Sequence, residues 1–325
     1  MIQSVKKFLQ TPIVQRMLNL FQYGMLIGIV IYLILELSKI GWIEVAENLP
    51  AEPLFYALFL ARFFAIPVSE IPAYKLVWNI PLWRHLDAFI RKRIYNFAVV
   101  SYGGEAFFTL WARRNLNLDT KKILTGIKDN NILSAFASNV ATVVLILIIV
   151  AMGDLQQALD TIPGATILFL LAFLSSLLLS AAVIFFHEKI LDISLQTARY
   201  LTTIHGLRLL LVMVLQAAMY AVALPGGAFI AWLYLITLQL VLSRIPFLPN
   251  VDLIFLSLAL LLSPAIGVSD AALAGVLVAE AGLVQILNFL LFFATAHCAK
   301  PNNKRLSSTK SEERISAATS PSTLQ

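Results

Sequence analysis

A chain of 325 residues with 59% hydrophobic and only 13% charged residues, and a mean hydropathy of +0.84, is far more apolar than a soluble domain, where about a quarter of residues are charged. These values exclude a soluble globular protein and point to an all-α polytopic membrane protein. The net charge of +6 is gathered in short segments between apolar runs, a pattern of membrane orientation rather than of nucleic-acid binding. The single cysteine, Cys298, rules out an intramolecular disulfide and a cysteine-based metal site. The four histidines, His85, His187, His205 and His297, form no H-x-x-x-H or H-E-x-x-H pattern, so no metal or cofactor is implied.

In chain order, Lys6, Lys7 and Arg16 precede a first apolar run, Leu20 to Leu37. It is too long for a signal-peptide core and lacks a clear cleavage site, so it reads as a retained helix. The acidic loop after it, with Trp42 as an interfacial anchor, puts the N-terminus inside. Pro53 to Trp78 carries Arg62, Glu70, Pro67 and Pro72. The two prolines are expected to interrupt this helix. Arg62 falls about mid-bilayer, where charge costs at least about 2.5 kcal/mol unless paired or hydrated. Its expected partner is Glu70 or Glu105.

Asn96 to Ala112 is apolar enough to enter a bilayer, yet it holds Gly103, Gly104 and Glu105 at its middle, between Arg91-Lys92-Arg93 and Arg113-Arg114 with Lys121-Lys122. A full crossing would put one basic cluster on the wrong face. A re-entrant loop turning at the glycine pair keeps both inside, and an ordinary helix whose glycines admit a close neighbour is the alternative. A polar connector, 113–131, leads to an apolar run over 132–152, an outside acidic loop with Asp154 and Asp160, and a return run over 164–186. The linker that follows is expected to hold a short amphipathic surface helix through Ile190, Ile193, Leu195, Ala198 and Leu201.

Leu207 to Leu224 and Ala228 to Leu242 read as a hairpin turned at Pro225-Gly226-Gly227, with Gln216 and Gln239 as its buried polar residues. The run after Arg244 and its proline-bracketed break, Val251 to Ser263, is short for a crossing. With Ser263-Pro264-Ala265-Ile266 and Gly267 it reads as discontinuous. Ala272 to Ala296 is the last long helix and carries Glu280, Gln285 and Asn288. The membrane part thus covers 1–298, and the polar Ser/Thr-rich remainder, 299–325, is expected to be a disordered cytoplasmic tail.

Three elements carry a resemblance: Tyr102-Gly103-Gly104-Glu105 after a basic segment, Arg244-Ile245-Pro246-Phe247-Leu248-Pro249, and Gly267-Val268-Ser269-Asp270-Ala271-Ala272-Leu273 opening the last helix. Together they resemble the flippase-like membrane domain of lysylphosphatidylglycerol synthases and its stand-alone relatives. An aspartate, Asp270, stands where that family has a glutamate, and the glycines that usually precede the motif are absent. The aminoacyl-transferase domain of the synthases has no counterpart in the 1–325 span. The resemblance implies movement of a lipid or lipid-linked intermediate between leaflets, with a membrane lipid as partner and no chemistry.

A translocation route needs polar groups in an apolar medium. Arg62, Glu70, Glu105, Arg113, Arg244, Asp252, Asp270 and Glu280 are its candidates, of which Arg113, Arg244 and Asp252 are the ones placed to snorkel. Glu105 and Asp270, each beside a glycine-containing break, are expected to meet near the midplane. The D-G-x-x-A-R element of CDP-alcohol phosphotransferases and the Pro-Ser-Gly-His of lipid phosphatases are absent from the sequence. An intramembrane enzyme using Glu105 and His205 is disfavoured because His205 sits at an expected helix start. The standing alternative is an ion-coupled transporter or channel for a small polar solute. The full expectation is about eight crossings with one or two re-entrant elements, in a bacterial-type cytoplasmic (inner) membrane, both termini cytoplasmic. A homo-oligomer is compatible with it.

Overall fold

The computed structural model describes residues 41–98, 103–152, 164–245 and 251–296, with isolated positions at 31, 34, 35 and 38. Among them there are no strands. The helices are α1 (Trp42–Glu47), α2 (Pro53–Trp78), a 3-10 turn (Trp83–His85), α3 (Leu86–Ala98), α4 (Gly103–Asn115), α5 (Thr120–Ala151), α6 (Ala165–Phe185), α7 (His187–Ile190), α8 (Leu195–Ala223), α9 (Phe229–Ser243), α10 (Val251–Leu261), α11 (Ser263–Ile266) and α12 (Asp270–Ala294). Five of these, α2, α5, α6, α8 and α12, are long and apolar enough to cross a membrane. They mark an all-α integral membrane protein. The first apolar run, apart from Ile31, Ile34 and Leu35, lies outside the described residues, as do 153–163, 246–250 and 297–325.

Helix α2 packs against α8, α3 and α5. Proline at its first turn suits a position whose N–H has no intrahelical acceptor, and Asn79 ends it in the left-handed region at φ 56°. Pro67 and Pro72 lie inside it without interrupting it, contrary to expectation. Each removes one hydrogen bond, and packing outweighs the loss: Phe63, Ile71, Tyr74 and Trp78 are fully buried on either side of the prolines. One aromatic core gathers Phe55, Phe59 and Phe63 of α2 with Tyr220 of α8 and Trp232 of α9. A second gathers Tyr74 and Trp78 with Phe89 of α3 and Phe108 and Trp111 of α4.

Two further expectations are corrected. The linker residues 195–206 form no surface helix; they are the first turns of α8, which Ser194 caps by accepting from Thr197 N–H. Part of their apolar stripe meets protein: Ala198 and Leu201 are buried with Ala73 of α2 and Leu133 of α5, while Leu195 is exposed. The polar connector before residue 132 is mostly helical, because α4 runs to Asn115 and Asp119 caps α5 from Thr120, its carboxylate accepting from Lys121 N–H at 2.8 Å. Buried Asp129 then accepts from the backbone N–H groups of Asp192 and Ile193 and fixes the turn into α8.

The expected discontinuity before the last helix is present. Leu262 and the single turn α11 separate α10 from α12, Gly267 takes φ 76°, and Ser269 caps α12 by accepting from Ala272 N–H. The segment around Gly103-Gly104 is two helices rather than one. Ring pairs Tyr95–Phe107, Phe89–Phe108 and His85–Trp111 pair rising numbers with falling ones, so α3 and α4 run antiparallel. Both have 13 residues, about 20 Å, short of a 30 Å hydrocarbon core. They come close at Gly104, where an added Cβ would lie 2.1 Å from the carbonyl oxygen of Lys92.

That contact predicts a contrast between two glycines. Gly104→Ala should cost about 1–3 kcal/mol, as overpacking does, and lower the thermal midpoint of the detergent-solubilised protein. Gly282→Ala, where a Cβ meets nothing within 4 Å, should leave the midpoint within about 1 kcal/mol equivalent.

Candidate functional site

Two clusters of buried charge are joined through α2. Around Arg62, the guanidinium pairs with Glu280 of α12. Both side chains are largely buried, at 15% and 12% exposure. The other Glu280 oxygen accepts from Tyr220 OH at 3.0 Å. Gln216 Nε2 donates to Tyr220 OH at 2.9 Å and to Gln239 Oε1 at 2.8 Å. Four helices, α2, α12, α8 and α9, thus share one polar chain in an apolar core. Arg62 does pair with an acid, as expected, but the acid is Glu280 on the last helix rather than Glu70 or Glu105.

The second cluster is built on Lys92 of α3, which is 2% exposed. Its ammonium donates to both oxygens of Glu70 at 2.9 Å and to Tyr74 OH at 3.3 Å, and lies 3.7 Å from Glu105 Oε1. Asn96 Nδ2 donates to the same Glu105 oxygen at 3.1 Å, while Asn96 Oδ1 accepts from Gly104 N–H at 2.8 Å. The glycine approach and the carboxylate are therefore one arrangement: Gly104 brings α4 close enough for Glu105 to reach Lys92. One ammonium facing two carboxylates offsets the desolvation that a lone charge would suffer.

Arg91-Lys92-Arg93, read from the sequence as a basic flank of Asn96–Ala112, is packed into the protein. Arg91 is 3% exposed and donates to the Phe292 carbonyl at 2.8 Å, near the end of α12. Arg93 lies over the Phe63 ring, 3.8 Å from its centroid. The face holding Lys92 also carries Ala88, Phe89 and Asn96 at helical spacing, the signal in the sequence that this lysine points inward. Tyr74 and Tyr220 gave no such signal. Their hydroxyls matter only because distant helices deliver charges to them.

The remaining sequence candidates separate from these clusters. Arg113 is exposed in the last turn of α4. Arg244 caps the C-terminus of α9 and donates to Asn139 Oδ1 at 2.9 Å. The side chain of Asp252 is outside the described atoms. Asp270 is exposed in the first turn of α12 and hydrogen-bonded with Ser263 Oγ, the place of a helix-capping acid. It does not meet Glu105. Glu105 shares Lys92 with the end of α3 that touches Phe292, and Asp270 lies 22 residues from Phe292, about 33 Å along α12. His205 is 1% exposed within α8, its Nε2 3.1 Å from Asn130 Oδ1, and not interfacial as expected. Among the described residues no cluster of histidine, cysteine and carboxylates is arranged to hold a metal.

Comparison with protein-family models, with curated proteins and with solved structures found no match.

The pairing predicts unequal effects of two arginine truncations. Arg62→Ala strands Glu280 and should cost about 3–5 kcal/mol, read as a large fall in thermal midpoint. Arg113→Ala should change it by less than about 1 kcal/mol.

Proposed function

We propose that the protein moves a lipid or lipid-linked intermediate between bilayer leaflets, with the polar groups along α2 as the headgroup route. The observation that carries this reading is the pair of charge clusters on one apolar-embedded helix. Arg62 and Glu70 are eight residues apart, about 12 Å of rise, and each recruits charged or polar groups from other helices. Charge at membrane depth is costly and by default functional, and a headgroup crossing the bilayer needs a succession of such stations. The short antiparallel pair α3–α4 is read as the re-entrant element, entering from and returning to the cytoplasmic side. The discontinuity at Gly267 is the second broken element, of the kind that lines transporter sites. The resemblance of Tyr102–Glu105 and Gly267–Leu273 to the flippase-like domain supports the same reading. Arg62, Glu70, Glu105 and Glu280 are its central residues, with Lys92 and Tyr220 added. Arg113, Arg244 and Asp270 are peripheral to it.

The test is scrambling of a fluorescent phospholipid in proteoliposomes. The parent protein should equilibrate the leaflets, and Glu105→Gln, which leaves Lys92 with one carboxylate, should slow equilibration at least tenfold, while Arg113→Gln should not. Absence of scrambling together with selective leak of a small polar solute would assign the protein to the solute-carrier class instead.

A further inference from the structure

One order of elements occurs twice in the described chain. A short helix, a long one, two short ones packed on each other and a second long one appear as α1, α2, α3–α4 and α5, and again as α7, α8, α9–α10 and α12. Helices α2 and α8 run antiparallel, since Phe55 of α2 shares a core with Tyr220 of α8, and Ala73 shares another with Ala198 and Leu201. The α3–α4 pair packs beside Tyr74 near the end of α2, and α9 packs beside Tyr220 near the end of α8. The two short-helix pairs therefore lie toward opposite ends of the α2–α8 unit. Their contacts are exchanged as well: α4 and α9 pack on α5, and α10 and α3 pack on α12. This is the build of an inverted repeat, and transporters of that build hold their substrates at the interface between the repeats.

A single register relates the side chains. Residues 146 positions apart are Arg62 and Arg208, Glu70 and Gln216, and Tyr74 and Tyr220 in α2 and α8, and Ser134 and Glu280 in α5 and α12. The two arginines turn to matching places on the other long helix: Arg62 pairs with Glu280, and Arg208 donates to Ser134 Oγ at 2.9 Å. A hydroxyl thus stands where the first arginine has a carboxylate. Among the described residues that is the one hydrogen bond of Arg208, and no carboxylate is at ion-pair distance from it. Glu70, whose field reaches it, gives both oxygens to Lys92. Arg208 and Ser134 are both partly exposed, so the pair is open to an approaching group. They lie fifteen residues before the end of α8 and seventeen before the end of α5, about 22 and 26 Å. In a core about 30 Å thick that sets both within about 8 Å of the far boundary, within reach of the headgroup level for a snorkelling guanidinium. The guanidinium fork takes two anionic oxygens, and a phosphoryl group has a third for the hydroxyl. We propose that Arg208 and Ser134 bind a phosphoryl group, carried by a lipid or free in solution, at the place where the other repeat has Glu280. The site rests on the repeat and holds whether or not the protein moves lipids.

Supplying the acid tests the assignment. Ser134→Glu gives the second repeat the carboxylate that the first already has, and it should raise the thermal midpoint of the delipidated protein in neutral detergent. Ala135→Glu, at the exposed neighbouring position, should not. The midpoint of the parent protein is also measured with phosphatidic acid, with diacylglycerol of the same chains, which lacks only the phosphoryl group, and with inorganic phosphate. Phosphatidic acid should raise it by about 3 °C or more, and diacylglycerol should not. A matching rise with inorganic phosphate identifies a free anion as sufficient, and a rise with phosphatidic acid alone ties the group to a lipid. The rise should persist in Ala135→Glu and be lost in Ser134→Glu. If Ser134→Glu does not fold, Arg208→Gln, which removes the cation without stranding an acid, must lose the rise in its place. Equal rises with phosphatidic acid and diacylglycerol would overturn the proposal. So would a rise that survives in the folded variant, or no rise with either phosphoryl probe.

Discussion

A charge placed in an apolar bundle must be neutralised where it stands, and in this protein α2 sets where that happens. Arg62 and Glu70 are eight residues apart, which at 100° per residue turns them about 80° from each other around the helix. They therefore face different neighbours: Arg62 reaches Glu280 of α12, which also accepts from Tyr220 of α8, and Glu70 reaches α3. Helix α2 stays continuous through Pro67 and Pro72, with buried aromatic residues packed on either side. A break at Pro67, the proline that lies between Arg62 and Glu70, would free backbone groups and separate the two charges.

The two clusters are built differently. Around Arg62 a single ion pair is extended by neutral groups, Tyr220, Gln216 and Gln239, so displacing the guanidinium leaves Glu280 with one hydrogen bond. Around Lys92 one cation serves two carboxylates and a phenol. Buried pairs of this kind add little net stability compared with apolar residues of the same size. What they supply is a fixed register between helices.

The sequence made the class, the burial of Gln216, the pairing of Arg62 with an acid, the antiparallel packing of α3 on α4 and the interruption before α12 legible. Each leaves a local mark: a charge in an apolar run, a glycine pair, or a short run ended by Pro and Gly. What it left illegible was which helix supplies each partner. Glu280 is 218 residues from Arg62, and no local pattern joins them. Charge counting also misled where burial decides, because Arg91 and Lys92 look like a basic flank until α2, α4 and α12 close over them. The same holds for His205 and for the first turns of α8, whose polar composition suggests a surface although α2 and α5 cover one side.

Charge reversal tests most directly the claim that α2 is held by specific partners rather than by apolar packing alone. The thermal midpoints of Arg62→Glu, Glu280→Arg and the combined variant should be measured in the same detergent. Each single change places like charges together and should lower the midpoint steeply, and the combined variant should recover at least half of the larger loss. A combined loss equal to the sum of the two single losses would contradict the account.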